Sequence, residues 1–481
     1  MIPLTLAEVA DAVGGRLAGG AAPDSVVTGP VVVDSRQAAP GALFVALPGQ
    51  RADGHDFAAA AVGQGAVAVL AERELDVPCV VVGSGTGALG ALARAVVDRL
   101  TAPRPGSAPG LDVVALTGSS GKTSTKDLLA AVLGAAGPTV APSGSFNNEV
   151  GVPLTVLRAD EQTRFLVVEM GARGVGHIAH LCQVVPPRVG VVLNVGSAHL
   201  SEFGSREGTA RAKGELVEAL PPARRGGVAV LNADDDLVAR MATRTTAAVH
   251  WFGESARATI RAQDVDLDAG RPVLTLVTPA GSAPVRLRLY GEHQVPNALA
   301  AATVALALGL ELPAVAEALS AAEPASRYRM EVTERPDGVT VINDAYNANP
   351  ESVRAALKAL VAIGRGRRTW AVLGEMLELG ESSAAEHDAV GRLAVRLDVS
   401  RLVAVGAGAR AVHTGAAHEG SWGEESLAVP DVAAAEALLA EELRPGDVVL
   451  VKASNAVGLH ALGERLAAGG HHPDDAGEVV R

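Results

Sequence analysis

The sequence predicts an α/β protein of three domains, and three observations carry that prediction. Its 481 residues, 48% of them hydrophobic, suffice for several independent cores. Short β-rich runs alternate with helical stretches through two long segments, the pattern of doubly wound, mostly parallel sheets. A stretch rich in Pro, Gly and Ser (TAPRPGSAPG, 101–110) and a second break at AEPASRYRM separate these segments.

The elements follow in order. A smaller N-terminal α/β domain spans 1–103 and ends on an amphipathic helix in which Leu89, Leu92, Val96 and Leu100 share a face. A central domain spans 111–324. Its strands are expected at Val113–Leu116, Phe165–Glu169, Val189–Val195 and Val228–Leu231, with a glycine loop and a helix from Lys122 after the first. A polar, β-prone interval over 259–289 interrupts the alternation before an alanine-rich helix, Val295–Leu308. A Rossmann-like α/β domain spans 325–468, with strands at Val339–Asn343, Thr369–Leu373, Leu402–Val405 and Val448–Val451. The tail 469–481 lacks periodicity and is expected to be disordered, its His471–His472 pair a loose end and not a metal site.

Composition excludes several function classes. A formal net charge of -13 argues against nucleic acid or an anionic membrane surface as partner, since both reward clustered Lys and Arg. Cys79 and Cys182 lie far apart in apolar runs without metal-ligand spacing, as reduced core residues of a cytoplasmic protein would. The N-terminus has no basic n-region, and the most apolar run, Ala298–Leu310, falls short of the ~20 residues of a membrane span. No membrane insertion is expected.

The chemistry begins at LTGSSGKTSTKDLL, 116–129. A buried strand, a glycine turn and a helix form a phosphate nest, because successive backbone N–H groups converge where the helix dipole is positive. Gly118, Ser119, Ser120, Gly121, Lys122, Thr123 and Ser124 make up the nest, with Lys122 for the terminal phosphates and the Thr123 hydroxyl for magnesium. A standard P-loop would carry a glycine at 116, where this chain has leucine. Ligands of doubly wound sheets bind beyond the carboxyl ends of the strands. Glu169 ends FLVVE and His199 follows VGVVLNV, so both fall on the rim of the glycine loop and suggest metal ligation there. Locally, Lys213 reads as part of a solvated helix face with an Arg211–Glu215 pair, and Asn297 as a helix cap. NDAYNANPES leaves a strand at Asp344 and enters a helix through Asn349 and Pro350, which suits a site rim.

Taken together, TGSSGKT, SFNNEVGVPLT, VVEMG, NVGSAHLSEFGS, ARAKGEL, GEHQVPNALAA, NDAYNANPES and VLGEMLELG resemble the Mur ligases, ATP-dependent amide-forming enzymes of peptidoglycan precursor synthesis whose loop has this same shortened form. The resemblance runs from about Val31 to about Leu462 and is nearest to those members that add D-alanyl-D-alanine to the UDP-N-acetylmuramoyl tripeptide. It implies ATP and Mg2+ as cofactors, and a monomer is expected. Lys122 and Thr123 would serve ATP and its magnesium, and Glu169 and His199 a second magnesium. Lys213 matches a lysine that can be carbamylated into an oxygen ligand, which requires a neutral amine and hence a depressed pKa. Asn297 matches the adenine contact, and Arg329 and Asp344 match the nucleotide contacts brought by the third domain.

For the UDP-linked substrate and the dipeptide, the resemblance implies Ser35, Arg36 and His55 in the first domain, Asn147 and Asn148 in the second, and Tyr346, Asn347, Asn349, Lys452 and Ser454 in the third. VKASN stands where relatives often show KGSR, so Asn455 departs from the pattern. The implied reaction phosphorylates the tripeptide carboxylate to an acyl phosphate that the dipeptide amine then attacks. Two rival readings share the loop: a folylpoly-γ-glutamate synthase-like ligase, and a nucleotide-dependent switch without ligation.

Overall fold

The computed structural model describes residues 1–49, 52–102, 110–196, 203–420, 423 and 425–469. His199, most of the 101–110 stretch and the tail from 470 lie outside the described residues. Among the described residues, four sheets of two, five, nine and six strands organise an α/β fold.

Every residue of strand Asp112–Thr117 is buried, as befits a parallel strand covered by helices on both faces. It sits inside the nine-stranded sheet, whose order is Gly281–Arg286, Arg271–Thr278, Ile260–Asp268, Ala248–Gly253, Val228–Asn232, Val189–Val192, Asp112–Thr117, Phe165–Glu169 and Thr139–Val140. The polar interval expected to interrupt the alternation does so as an antiparallel extension of this same sheet, through the last three strands in sequence. Register fixes the functional edge. Glu169 pairs with Leu116 and Val192 with Thr117, so the carboxyl ends of three adjacent strands open together.

Helix Lys122–Gly134 buries Leu128, Leu129, Val132 and Leu133. It packs beside the alanine-rich helix Gln294–Ala307 in one continuous apolar cluster. Short alanine side chains let this second helix sit close against its neighbours on nearly every side. Helix Gly85–Thr101 of the first unit has no separate core. Leu89, Leu92 and Val96 share a cluster with Val152, Val156, Ile178 and Leu181 of the central unit.

The six-stranded sheet runs Glu331–Glu334, Thr340–Asn343, Val448–Lys452, Thr369–Leu373, Arg401–Val405 and Ser426–Val429, all parallel except the first. Its loops after Asn343 and Leu373 bring Tyr346, Asn347 and Glu378 to the cleft at which the central sheet opens.

Candidate active site

A cleft of about 580 Å³ lies where all three units meet. The central unit contributes Ser119 to Ser124, Ser145, Asn147 to Glu149, Glu169 and Lys213; the third contributes Arg329, Tyr346, Asn347, Asn349 and Glu378. The first contributes Ser84, Thr86 and Gly87.

The floor is the glycine turn. Gly121 has φ +79°, a left-handed conformation that glycine adopts without a side-chain clash. A Cβ there would stand 2.4 Å from Asn297 Oδ1. The helix begins at Lys122, so the amides of Gly121, Lys122, Thr123 and Ser124 have no intrahelical acceptor and open into the cleft.

A polar cluster covers this turn. The Thr123 hydroxyl donates to Glu169 Oε2 at 3.1 Å, and Asn147 Nδ2 donates to Glu169 Oε1 at 2.8 Å. The carboxylate is 1% exposed, so both oxygens are oriented by the protein. Thr123 Oγ1 also meets Ser145 Oγ at 3.2 Å, and Ser145 accepts a 3.4 Å contact from Arg329 of the third unit. Arg329 stacks over Tyr346 with its guanidinium carbon 4.3 Å from the ring centre.

Two lysines complete the cluster. Lys122 Nζ donates to Gly118 O at 2.8 Å. Burial draws its pKa below the usual lysine value; Glu169 opposes that shift and Arg329 adds to it. Lys213 lies in helix Arg206–Glu218, and its pKa falls well below the ordinary value through burial and then through the charge of Lys122. An amine so placed gives up its proton more readily than an ordinary lysine. Its neighbour Glu215 does not pair with Arg211 as the helical spacing suggests. Its carboxylate accepts from the amides of Gly176 and Ala179 at 2.6 and 3.0 Å, capping helix His177–Val184.

Other expected residues lie behind the cleft wall or along it. Asn297 sits inside helix Gln294–Ala307, not at its cap; it accepts from Thr125 Oγ1 at 3.2 Å and donates to Gln294 at 2.9 Å. Asp344 Oδ1 accepts from Met330 N at 3.1 Å. Lys452, 2% exposed, donates to Asp344 Oδ2 at 2.6 Å and to Asn347 O at 3.0 Å, so its ammonium braces the 344–349 loop. Burial lowers the Lys452 pKa, and Asp344 opposes that. Ser454 Oγ accepts from Leu377 N at 2.9 Å, and Asn455 opens a 3-10 turn. Asn349 lines the cleft and also caps helix Pro350–Ile363 through Ser352. Asn148 lines the cleft while accepting from the amides of Val150 and Gly151.

The first-unit candidates do not enter the cleft. His55 is buried with both ring nitrogens engaged, Nδ1 with Asp53 Oδ1 at 2.5 Å and Nε2 with Glu72 N at 2.9 Å. Arg36 is exposed and pairs with Asp34, and Ser35 opens the same short turn. The residues that do reach the cleft, Ser84, Thr86 and Gly87, belong to GSGTG at the start of helix Gly85–Thr101. The run is a second glycine turn between a strand and a helix, a sequence signal that the reading above did not take up. His199 lies outside the described residues, so the site brings together Thr123, Glu169 and Lys213 of the expected metal set. Among the described residues there is no group of three His, Cys, Asp or Glu poised around a metal.

Comparison with known proteins agrees with this geometry. Residues 30–97 match the description "Mur ligase family, catalytic domain", 116–305 "Mur ligase middle domain", and 328–455 "Mur ligase, glutamate ligase domain". The chain is 52% identical to the UDP-N-acetylmuramoyl-tripeptide--D-alanyl-D-alanine ligase of Mycobacterium tuberculosis strain H37Rv, over 97% of this chain and 98% of that one. Identity to the protein of the same name from Escherichia coli K12 is 37%, over 86% and 88% of the two chains. Its fold is similar to a crystal structure of MurF from Acinetobacter baumannii, with a TM-score of 0.85 at 33% identity over 97% of this chain and 99% of that one. It is also similar to MurF ligase from Thermotoga maritima in complex with ADP, with a TM-score of 0.77 at 29% identity over 92% and 98%. With all three units matched in order and relatives aligned over nearly its whole length, the chain belongs to the Mur ligase family.

Proposed function

We propose that the chain is an ATP-dependent amide ligase that joins D-alanyl-D-alanine to the UDP-N-acetylmuramoyl tripeptide, giving ADP and phosphate. The observation that carries this reading is one cleft containing a helix-first-turn nest, Lys122, a protein-oriented Glu169 and an arginine from a separate unit. The names of the relatives supply the substrates. We take the units to be 1–103 for the UDP-linked substrate, 111–324 for ATP and 325–468 for closure over both.

The residues present fit the nucleotide and its metal. Four amides converge without intrahelical acceptors above a glycine that has no room for a side chain, which suits a phosphate chain. Thr123 and Glu169 offer hard oxygen donors, which suits Mg2+; the metal would neutralise phosphate charge. Lys213, once carbamylated, would add a third oxygen donor.

The tripeptide carboxylate and the ATP phosphates repel each other, and the chain's task is to offset that repulsion. Lys122 from the central unit and Arg329 from the third bring two basic groups into the same cleft. Asn147 holds Glu169 in one orientation. The carboxylate attacks the terminal phosphorus and ADP leaves. The dipeptide amine then adds to the acyl phosphate carbonyl, and phosphate departs as the amide forms, with no side-chain nucleophile. We take a monomer as the catalytic unit. A nucleotide-linked substrate and ATP place the reaction in the cytoplasm. Among the described residues, no helix is long and apolar enough to cross a membrane.

A phosphate-release assay tests this reading. Release is expected only with ATP, the UDP-linked tripeptide and the dipeptide together. Equal release without the dipeptide, or with D-glutamate in its place, would overturn the substrate assignment.

A further inference from the structure

The shortened glycine turn poses a question that the nucleotide site does not answer: what holds its front half in shape? Ser119 N and Ser120 N both donate to the side-chain oxygen of Asn194, at 3.0 and 2.9 Å. Asn194 Nδ2 donates back to Ser120 O at 3.2 Å, and Asn194 O accepts from Ser119 N at 3.2 Å. One amide side chain therefore satisfies both polarities of the turn. Gly196 N donates to Ser119 Oγ at 2.9 Å, extending the grip.

Asn194 is itself held from behind. Asn232 Nδ2 donates to Leu193 O at 2.8 Å, and Val195 N donates to Asp235 Oδ2 at 2.7 Å. Leu193 also explains Gly118, where a Cβ would lie 2.9 Å from Leu193 Cβ. The amides of Ser119 and Ser120 are thus committed to protein. Those of Gly121 to Ser124 are left for an anion.

We propose that Asn194 is a positioning residue for ATP: its carboxamide stands in for the missing front of a longer phosphate loop and presets the turn so that the first helical amides and Lys122 point into the cleft. The idea rests on the ligase reading only for the identity of the nucleotide.

Two measurements on the full-length protein separate the two claims. Hydrogen exchange of the segment around 117–121, without nucleotide, is expected to accelerate in Asn194→Ala and to stay slow in Asn194→Asp, which keeps the oxygen acceptor. In steady-state ligation, Asn194→Ala is expected to raise KM for ATP by about 10- to 100-fold, as loss of the one side-chain oxygen shared by two turn amides implies, with KM for the UDP-linked tripeptide within about twofold of the parent. Unchanged exchange in the alanine variant would overturn the proposal, whatever the enzyme ligates. So would an equal rise in KM for all substrates, or a fall in kcat with KM for ATP unmoved, because each marks general damage and not a preset loop. If the alanine variant does not fold, fast exchange in Asn194→Asp alone overturns it.

Discussion

Glu169 is a buried carboxylate whose two oxygens answer to different neighbours, Thr123 on one and Asn147 on the other. Replacing it by glutamine preserves shape and removes the charge. Glu169→Gln should keep the fold, checked by circular dichroism, and lower kcat by at least about 100-fold in the phosphate-release assay, the scale of losing a preorganised electrostatic group. His293 makes a different case. Burial pushes its pKa down to about 4, with Asp344 opposing and Lys452 adding to the shift, and Nδ1 has no hydrogen-bond partner among the described residues. Its folded value lies below the ordinary 6.5, so between the two the unfolded chain binds a proton that the native state refuses. Stability attributable to this group is therefore whole above about pH 6.5 and is lost as pH falls toward 4, by up to about 3 kcal/mol. Urea midpoints between pH 7 and 4.5 should fall more steeply for the parent than for His293→Gln; parallel slopes would contradict the assignment.

Single residues also mark what could be read beforehand. Lys122, Thr123 and Glu169 were legible because each sits at a strand or helix end that periodicity locates. Asn194 was not singled out, because its partners lie 74 and 75 positions away and only the fold brings them together. Lys452 was named through the resemblance of VKASN to KGSR, and nothing local reveals that Asp344, 108 positions distant, also accepts from its ammonium.

At the scale of elements, the connection between the second and third units is held by the phosphate-loop helix itself. Lys126 donates to Pro142 O at 2.8 Å and Ser326 Oγ at 3.2 Å, and the adjacent Asp127 accepts from Ser326 N at 3.1 Å. Three residues on, Arg329 enters the cleft between Tyr328 and Met330, whose φ values of +59° and +51° are strained for side-chain-bearing residues. The clasp and the strained pair together aim one guanidinium. Asp127→Ala should therefore lower kcat by about tenfold through a misplaced Arg329 while leaving KM for the dipeptide within about twofold; steady-state kinetics in all three substrates decides. Element types were legible from alternation and apolar spacing. The interval 259–289 reads as an interruption because antiparallel strands with one wet face alternate polar and apolar residues, whereas buried parallel strands do not.

For the whole molecule, the two junctions differ in kind. The first unit shares a large apolar cluster with the second, while the third meets it through Tyr290, packed against the third unit's core, and through polar contacts such as Lys126 with Ser326 and Arg329 with Ser145. Apolar burial resists sliding, and polar contacts re-form easily, so hinge motion is expected at the second junction. The number of units was readable from two composition breaks. The shared core was not, since the faces of helix Gly85–Thr101 and the central helices carry no local sign of which partner they cover.

The central claim is that this cleft activates a carboxylate by phosphorylating it so that an amine can displace phosphate. Isotope transfer tests it most directly: UDP-linked tripeptide carrying 18O in its terminal carboxylate, ATP and D-alanyl-D-alanine are incubated with the enzyme, and the released phosphate is examined by mass spectrometry. The account predicts one 18O atom in each phosphate formed with the amide. Phosphate free of label, with the amide still produced, would contradict it.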